Sequence, residues 1–265
     1  MKEFVKNNIK IIIPLAIAFL LVLGIAIPII ARNVNSKKNQ DQIIELKEEA
    51  IFNSDEAVEQ QSPSEEAIEI PNDNMPNFDI LHEQNEDIYA WIEIPGTDVD
   101  YPVLQNEVDD YYLLTNLDLS SGYPGCLYSN KPDSKDFSDF VHIIYGHNMS
   151  DGSAFGSLKE FYSKEFFETH DTIFVYTAEA FLTYEIIEVR RHNDSYIPLE
   201  YDLNSTEGRT AFINMLNEGE DDISHVRSSA EFSEINNYLI LSTCIGGEED
   251  NRYLVIGMLV ERRFR

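Results

Sequence analysis

The hydrophobic pattern of the chain begins with a long apolar run near the N-terminus. Residues 9–31 are almost wholly apolar and follow a short basic segment. A helix needs about 20 apolar residues to span the hydrocarbon core of a bilayer, whereas the hydrophobic region of a cleavable signal peptide has only about 7–15. The run therefore predicts an uncleaved membrane anchor at residues 9–31, preceded by a cytoplasmic tail of residues 1–8.

A polar and acidic segment follows this run. Residues 41–73 contain eleven Asp and Glu residues, and Lys47 is the only basic residue among them. Such a composition is typical of a solvated chain, and it predicts a stalk over residues 32–75 with one helix over residues 41–60. The short tail on one side of the anchor and the large remainder on the other favour an extracellular position for everything after residue 31.

From residue 76 onward, short runs of β-branched and aromatic residues alternate with turn residues, which is typical of strands. Eight such runs lie at residues 90–94, 99–103, 126–129, 141–145, 172–176, 181–189, 238–244 and 251–257. Helical patterns lie around residues 78–91, at 158–167 and at 205–216, where Ser205 is the expected N-cap. We therefore predict a mainly β domain over residues 76–265. Its core is a closed or nearly closed barrel of about eight strands, with an N-terminal helix and a helix in the loop before the penultimate strand.

The net charge of the chain limits its possible partners, and its cysteine content limits what can stabilise its fold. The 265-residue chain has a formal net charge of -29, which excludes nucleic acid as a partner because a phosphate polymer would be repelled. The chain has only two cysteines, Cys126 and Cys244, so the fold does not rest on a disulfide framework. A single pairing of the two stays open.

The last two predicted strands carry the best candidates for chemistry. Cys244 ends the first of them and Arg252 begins the second, so the loop at residues 245–251 makes the pair a hairpin with both side chains on one rim. A nucleophilic thiolate needs a nearby cation or base, and an acyl-transfer site needs donors for the oxyanion. Two simpler interpretations remain. Cys244 could be a small buried residue with an inert thiol, and Arg252 could form a salt bridge with Glu248 or Glu249.

Among the six histidines, His147 is the best candidate for acid–base chemistry. It follows the predicted strand at residues 141–145 through Gly146, and a strand end is an exposed position. His142 lies inside that strand, where a packing or edge role is expected. No two histidines have metal-ligand spacing and no second cysteine lies near Cys244, so the sequence predicts no metal site.

Several motifs resemble one known family. LSTC at residues 241–244, with NRYLV downstream, looks like the catalytic segment of sortases, and IYGHNM followed by DGSAFG looks like their histidine segment. Three further motifs are similar to class B sortases in particular: AWIEI at residues 90–94, YPVLQ at 101–105 and DYYL at 110–113. The resemblance extends over residues 77–261 and implies a sortase-like barrel.

The resemblance also implies a mechanism. Cys244 would attack the carbonyl of the Thr–Gly peptide bond in a C-terminal sorting signal of a secreted protein and form a thioacyl-enzyme. His147 would act as general acid and base, and Arg252 would hold the substrate and stabilise the oxyanion. Ser242 and Thr243 would line the pocket. The acceptor would be an amine of a peptidoglycan precursor or cross-bridge, and the reaction needs no cofactor.

Three other functions stay open on the sequence. A pilin-polymerising sortase would use the amine of another subunit as acceptor. A cysteine endopeptidase would use water, since the first half of the reaction is the same. A surface binding module would use the barrel without a reactive Cys244.

Overall fold

A closed β-barrel with helices on its outside forms the domain. The computed structural model describes residues 2–52, 75–216 and 221–265, with side chains at residues 24–51 of the first segment. The strands are β1 (Ile88–Glu93), β2 (Asp100–Leu104), β3 (Leu127–Tyr128), β4 (Val141–Tyr145), β5 (Thr172–Thr177), β6 (Ala180–Asn193), β7 (His225–Val226), β8 (Tyr238–Ile245) and β9 (Glu248–Phe264). The α-helices are α1 (Lys2–Phe52), α2 (Phe78–Gln84), α3 (Lys164–Thr169), α4 (Ile197–Tyr201) and α5 (Thr206–Leu216).

Eight of these strands close on themselves. Their order is β5-β1-β2-β3-β4-β8-β9-β6, and β6 returns to pair with β5, while β7 is a short addition to β6. The predicted barrel of about eight strands is therefore confirmed, and so is a helix in the loop before the penultimate strand, since α5 lies between β6 and β8. Closure leaves none of the eight strands with an unpaired edge, which removes a route to aggregation.

Successive side chains of each central strand join two different apolar clusters in turn. In β8, Leu239 and Leu241 join the barrel interior, while Ile240 joins a second cluster outside the barrel, where Phe212 and Leu216 of α5 cover the sheet. Successive residues of a strand point to opposite faces. Residue 244 therefore projects from the outer face, beyond the edge of the cluster under α5.

Several predicted elements have different boundaries in the structure, and the largest strand difference is at β9, which spans Glu248–Phe264 instead of residues 251–257. The helix expected around residues 78–91 ends at Gln84, so Ile88 and Trp91 belong to β1. The helix expected at 158–167 is split into a 3-10 segment (Gly156–Tyr162) and α3, because the side chain of Ser163 caps a new helix.

The expected loop at residues 245–251 is also shorter. Ile245 pairs with Glu248, which leaves only Gly246 and Gly247 in the turn. Gly247 has φ +83, a conformation that glycine adopts without a steric cost. The expected N-cap is present, since Ser205 Oγ accepts a hydrogen bond of 2.9 Å from Gly208 N.

Helix α1 packs on the barrel over part of the segment that we expected to be a solvated stalk. Its buried residues follow a 3,4,3,4 spacing that forms one stripe: Ser36, Asn39, Ile43, Leu46 and Ala50. The acidic residues lie mainly off this stripe, which is why composition alone suggested a spacer. The domain boundaries stay a prediction, and residues 53–74 of the expected stalk lie outside the described residues.

Polar contacts reinforce the docking of α1. Lys47 forms an ion pair with Asp100 of β2, and Asp100 also accepts a 2.7 Å hydrogen bond from Trp91 Nε1. Lys38 Nζ lies 2.7 Å from Asp118. Among the described residues, none of the helices combines the length and apolar character needed to cross a membrane. The side chains at residues 9–23 of the predicted anchor lie outside the described part.

Truncating the docked stripe should destabilise the domain. Leu46 is 4% exposed, so Leu46→Ala should lower the free energy of unfolding by about 2–5 kcal/mol through lost burial and a residual cavity. Ile44 is 50% exposed on the same helix, and Ile44→Ala should change the free energy of unfolding by no more than about 0.5 kcal/mol. Urea unfolding of the full-length protein measures both. Equal effects would show that α1 does not pack through this stripe in solution.

Candidate active site

One cavity of about 460 Å³ brings all the sequence-predicted site residues together. Its lining includes Ser242, Thr243, Cys244, His147 and Arg252. The remaining walls come from β3, β4, the end of β6, β9, a second 3-10 segment (Tyr111–Leu113), and the loop from β6 into α4. Their residues are Asp110, Leu113, Tyr128, Ile143, Tyr145, Gly146, His192, Asn193, Asp194, Ser195, Tyr196, Ile197 and Leu254. The cavity lies on the outer face of the barrel.

Strand pairing sets the positions of the thiol and the guanidinium. Cys244 of β8 is directly opposite Arg252 of β9, and opposite residues of an antiparallel pair share a face with Cβ atoms about 4.5–5.5 Å apart. Cys244 is exposed and is not paired with Cys126, since both thiols are free. The open question of a disulfide is thus answered by the structure, and the thiol is available to a ligand in the cavity.

Arg252 does not form the carboxylate pair that was one interpretation of the sequence. Its Nη1 donates to the backbone carbonyls of Glu249 and Asn251 at 3.1 and 3.0 Å. Glu248 is occupied instead by Arg191, whose Nε lies 3.0 Å from its carboxylate. The guanidinium is therefore oriented by carbonyls, and within the described chain no acidic side chain neutralises it.

His147 enters the cavity because β4 lies beside β8. The two strands pair in parallel with Tyr145 opposite Ser242, and Gly146 N donates to Ser242 O at 3.2 Å. The ring Nε2 of His147 lies 2.9 Å from Leu113 O. A carbonyl can only accept, so Nε2 carries the proton in this bond. Nδ1 is then the atom of the neutral ring that can gain and lose a proton.

Tyr123 lies against the His147 ring, and Arg32 lies over Tyr123. The centroids of Tyr123 and His147 are 4.7 Å apart, and Cζ of Arg32, from α1, lies 3.4 Å from the centroid of Tyr123. Burial lowers the pKa of His147, the hydrogen bond to Leu113 raises it, and the positive charge of Arg32 lowers it. Arg32 and Tyr123 are contacts that sequence reasoning missed, since they depend on how α1 docks.

The segment that carries Leu113 and Tyr123 is itself held by α1. Asn39, which is buried, donates to Gly125 O at 3.0 Å and accepts from Leu117 N at 3.1 Å. Gly125 has φ +70, and a Cβ there would meet Tyr112 O at 2.3 Å, so only glycine fits. The helix that was expected to be a stalk therefore helps to position the candidate base.

The two smaller predicted site residues have different surroundings. Thr243 Oγ1 donates to Gly146 O at 2.8 Å, so this hydroxyl ties β8 to the residue before His147. Ser242 is buried on the outer face and lines the cavity. Asn148 was not singled out from the sequence, yet its Nδ2 donates to Cys244 O at 2.8 Å. Its position directly after His147 is the sequence feature that could have identified Asn148.

The second cysteine is separate from this cavity. Cys126 is buried, and burial raises its pKa well above the usual range for a thiol. Its thiol therefore stays protonated and weakly nucleophilic at neutral pH. This agrees with the packing role that the sequence predicts for Cys126. His142 is also buried, in the barrel wall, as its place inside the strand suggested.

Comparisons with known proteins agree with this geometry. Sortase B from Listeria monocytogenes is 28% identical over 184 residues, which cover 69% of this chain and 73% of the relative. The structure of sortase B from Bacillus anthracis has a TM-score of 0.67 at 26% identity, covering 86% of this chain and 99% of that one. A Streptococcus pyogenes class B sortase involved in pilus biogenesis has a TM-score of 0.60 at 26% identity, covering 69% and 97%.

A family model described as Sortase domain matches residues 92–260 of the chain. The match includes β8 and β9, which carry Cys244 and Arg252, and the residues directly after β4, which include His147. Together with the class B relatives, it confirms the resemblance drawn from the motifs. The chain therefore belongs to the sortase family, whose members are cysteine transpeptidases, and within that family it is a class B sortase.

Proposed function

We propose that this transpeptidase cleaves a C-terminal sorting signal after Thr and joins the released protein to an amine of peptidoglycan or its precursor. The observation that carries the proposal is the convergence of Cys244, His147 and Arg252 on one cavity. The exposed thiol supplies a nucleophile, the imidazole an acid and base, and the guanidinium a fixed positive charge. These are the groups that acyl transfer through a thioester needs.

The first half-reaction forms the thioacyl-enzyme. The Cys244 thiol transfers its proton to Nδ1 of His147, and the thiolate attacks the carbonyl carbon of the Thr residue. Arg252 stabilises the oxyanion of the tetrahedral intermediate, because its charge is permanent and lies opposite the thiol. The C–N bond then breaks as His147 returns the proton to the leaving amine, and the carbonyl is joined to sulfur.

The second half-reaction regenerates the thiol. An acceptor amine attacks the thioester, His147 takes the proton that the amine releases, and Cys244 leaves as a thiolate that is reprotonated. The same reaction with water gives hydrolysis, so transfer requires that the amine reach the cavity in preference to water. The class B relative from Streptococcus pyogenes is involved in pilus biogenesis, and a pilin subunit is therefore the second acceptor to test.

The position of the protein at a membrane is part of the proposal. The apolar run at residues 9–31 has the length of a bilayer-spanning helix, and α1 continues from it to the barrel. An anchored enzyme with its domain outside the cell meets secreted substrates as they emerge. This arrangement would place Arg32, which contacts Tyr123, directly at the end of the anchor.

Removing the nucleophile tests the function. Full-length protein in detergent is incubated with a library of sorting-motif peptides and either an amine found in peptidoglycan or a pilin-derived amine, and the products and intact mass are measured. Cys244→Ala should lower turnover by more than about a thousandfold and abolish the covalent adduct. The matched control Cys126→Ala removes the buried thiol and should retain both.

The outcomes separate the candidate functions. An adduct on Cys244 that resolves to an amide establishes transfer and identifies the acceptor. An adduct that resolves only to free acid points to an endopeptidase. Cleavage that survives Cys244→Ala would rule out the nucleophile, and the absence of any adduct would favour a binding module.

A second test concerns the pKa of His147. Because the charge of Arg32 disfavours the imidazolium, Arg32→Gln should raise the pKa of His147, which NMR titration of the ring C–H signals measures. The pH profile of turnover should shift in the same direction. Lys38→Gln is the matched control, since it removes a cation from the same helix that pairs with Asp118 instead. An equal shift in both variants would show a general charge effect rather than the contact through Tyr123.

A further inference from the structure

A second cluster of chemically active side chains lies away from the active-site thiol, where the connection from β3 to β4 meets the barrel. Asp133 and Asp139 belong to this connection, and His142 belongs to β4. One ligand atom from each of the three lies within 4.8 Å of the others. None of the three has a role in the proposed acyl transfer.

The protonation of His142 follows from its neighbours. The ring is 1% exposed, and its Nε2 lies 2.9 Å from the hydroxyl oxygen of Tyr89. The Tyr89 oxygen also lies 2.8 Å from Ser129 Oγ, and it accepts from Nε2–H of His142 when its own proton is directed to Ser129. Burial also lowers the pKa of His142. Burial therefore favours the neutral ring, and in the tautomer with its proton on Nε2 the lone pair is on Nδ1.

This lone pair faces another acceptor. Nδ1 of His142 has no hydrogen-bond partner and lies 3.8 Å from Oδ2 of Asp139, which is too long for a hydrogen bond. In the tautomer with the proton on Nε2, two electron-rich atoms face each other at a buried site, an arrangement that costs free energy unless a positive charge lies between them. A metal ion is such a charge, and the hydrogen bond from Nε2–H to Tyr89 is the outer contact that metal-bound histidines usually have.

Asp133 is the third member of the cluster. Among the described residues its carboxylate forms no ion pair with a basic side chain, and the backbone of Asn130 supplies a hydrogen bond that favours its charged form. Burial and the nearby charge of Asp139 raise the pKa of Asp133 to about 8. The raised pKa favours the protonated form of Asp133, and a cation would displace this proton because its charge stabilises both carboxylates against their mutual repulsion.

The backbone around the cluster is held in place without an ion. Ser134 donates to Asp139 from both its backbone N and its Oγ, at 2.5 and 2.9 Å. The amide of Gln105 donates to the carbonyls of Asn130 and Asp133 at 2.9 and 2.7 Å. The connection is therefore held at the side chain of Asp139 and at the backbone of Asp133, and a bound ion would need to order little further chain.

We propose that Asp133, Asp139 and His142 bind one divalent transition-metal ion such as Zn²⁺ or Mn²⁺. An imidazole with two carboxylates suits these ions, whereas Ca²⁺ and Mg²⁺ prefer oxygen ligands alone. Bonds of about 2.0–2.2 Å bring ligand atoms closer than 4.8 Å, so the side chains would close slightly around the ion. The ion would join the β3–β4 connection to the strand that leads to His147.

The test uses metal-free full-length protein in detergent, with Cys244→Ala as background so that the exposed thiol cannot bind the metal. Titration with Mn²⁺, followed by electron paramagnetic resonance, should show one bound ion per chain. Pulsed spectra should show coupling to nitrogen from the imidazole. Zn²⁺ should displace the bound Mn²⁺, and the same concentration of Ca²⁺ should not.

Substitutions of the proposed ligands test where the ion binds. Asp133→Asn and Asp139→Asn keep the shape of the side chains and should each weaken Mn²⁺ binding by more than about tenfold. Asp136→Asn is the matched control, because Asp136 is an exposed carboxylate of the same connection outside the cluster, and binding should be unchanged. Circular dichroism checks that each variant folds.

Three results would overturn the proposal. They are the absence of bound Mn²⁺ and Zn²⁺ in the folded parent protein, binding that survives both Asp133→Asn and Asp139→Asn, and a bound ion without nitrogen coupling that Ca²⁺ displaces. None of these depends on transpeptidation, so the metal site and the proposed function are tested separately.

Discussion

The parallel pairing of β4 with β8 is the constraint on which the active site depends. With Tyr145 opposite Ser242, the end of β4 delivers His147 beside the end of β8, and the antiparallel partner β9 delivers Arg252 opposite Cys244. The three side chains come from two distant parts of the chain. A shift of one residue in either register would turn a side chain from the cavity into the barrel interior, because alternate residues point to opposite faces.

Hydrogen bonds next to this strand pair hold His147 in place. Thr243 bonds to the carbonyl of Gly146, and Asn148 bonds to the carbonyl of Cys244, so β8 and the segment after β4 are tied on both sides of His147. The carbonyl of Leu113 fixes which ring nitrogen carries the proton. These bonds join chain segments that are already neighbours, and they leave Nδ1 as the ring atom for the proton transfer that we propose.

Helix α1 gives the N-terminal part of the chain a role in this arrangement. Its buried stripe packs on the barrel, its Asn39 holds the segment that contacts His147, and its Arg32 adds a positive charge above Tyr123. The electrostatics of the candidate base therefore include a residue from outside the barrel. An enzyme anchored through the same helix would couple its attachment to the membrane with the environment of its base.

The sequence by itself determined the closed barrel, the hairpin and the choice of Cys244, His147 and Arg252. These follow from local information: strand periodicity, strand ends, and motifs whose order and spacing match a family. The sequence also placed Cys126 as a packing residue, since it lies within a strand-like run.

Only the tertiary structure decided the features that depend on distant segments. Composition suggested a solvated stalk, because acidic residues outnumber the apolar stripe of α1 and only docking shows which face is buried. The contacts of Arg32 and Tyr123 with His147, and the turn of only two residues after β8, were likewise absent from local patterns. The cluster of Asp133, Asp139 and His142 has no recognisable ligand spacing, and it forms because the fold of one connection brings two carboxylates to a buried imidazole.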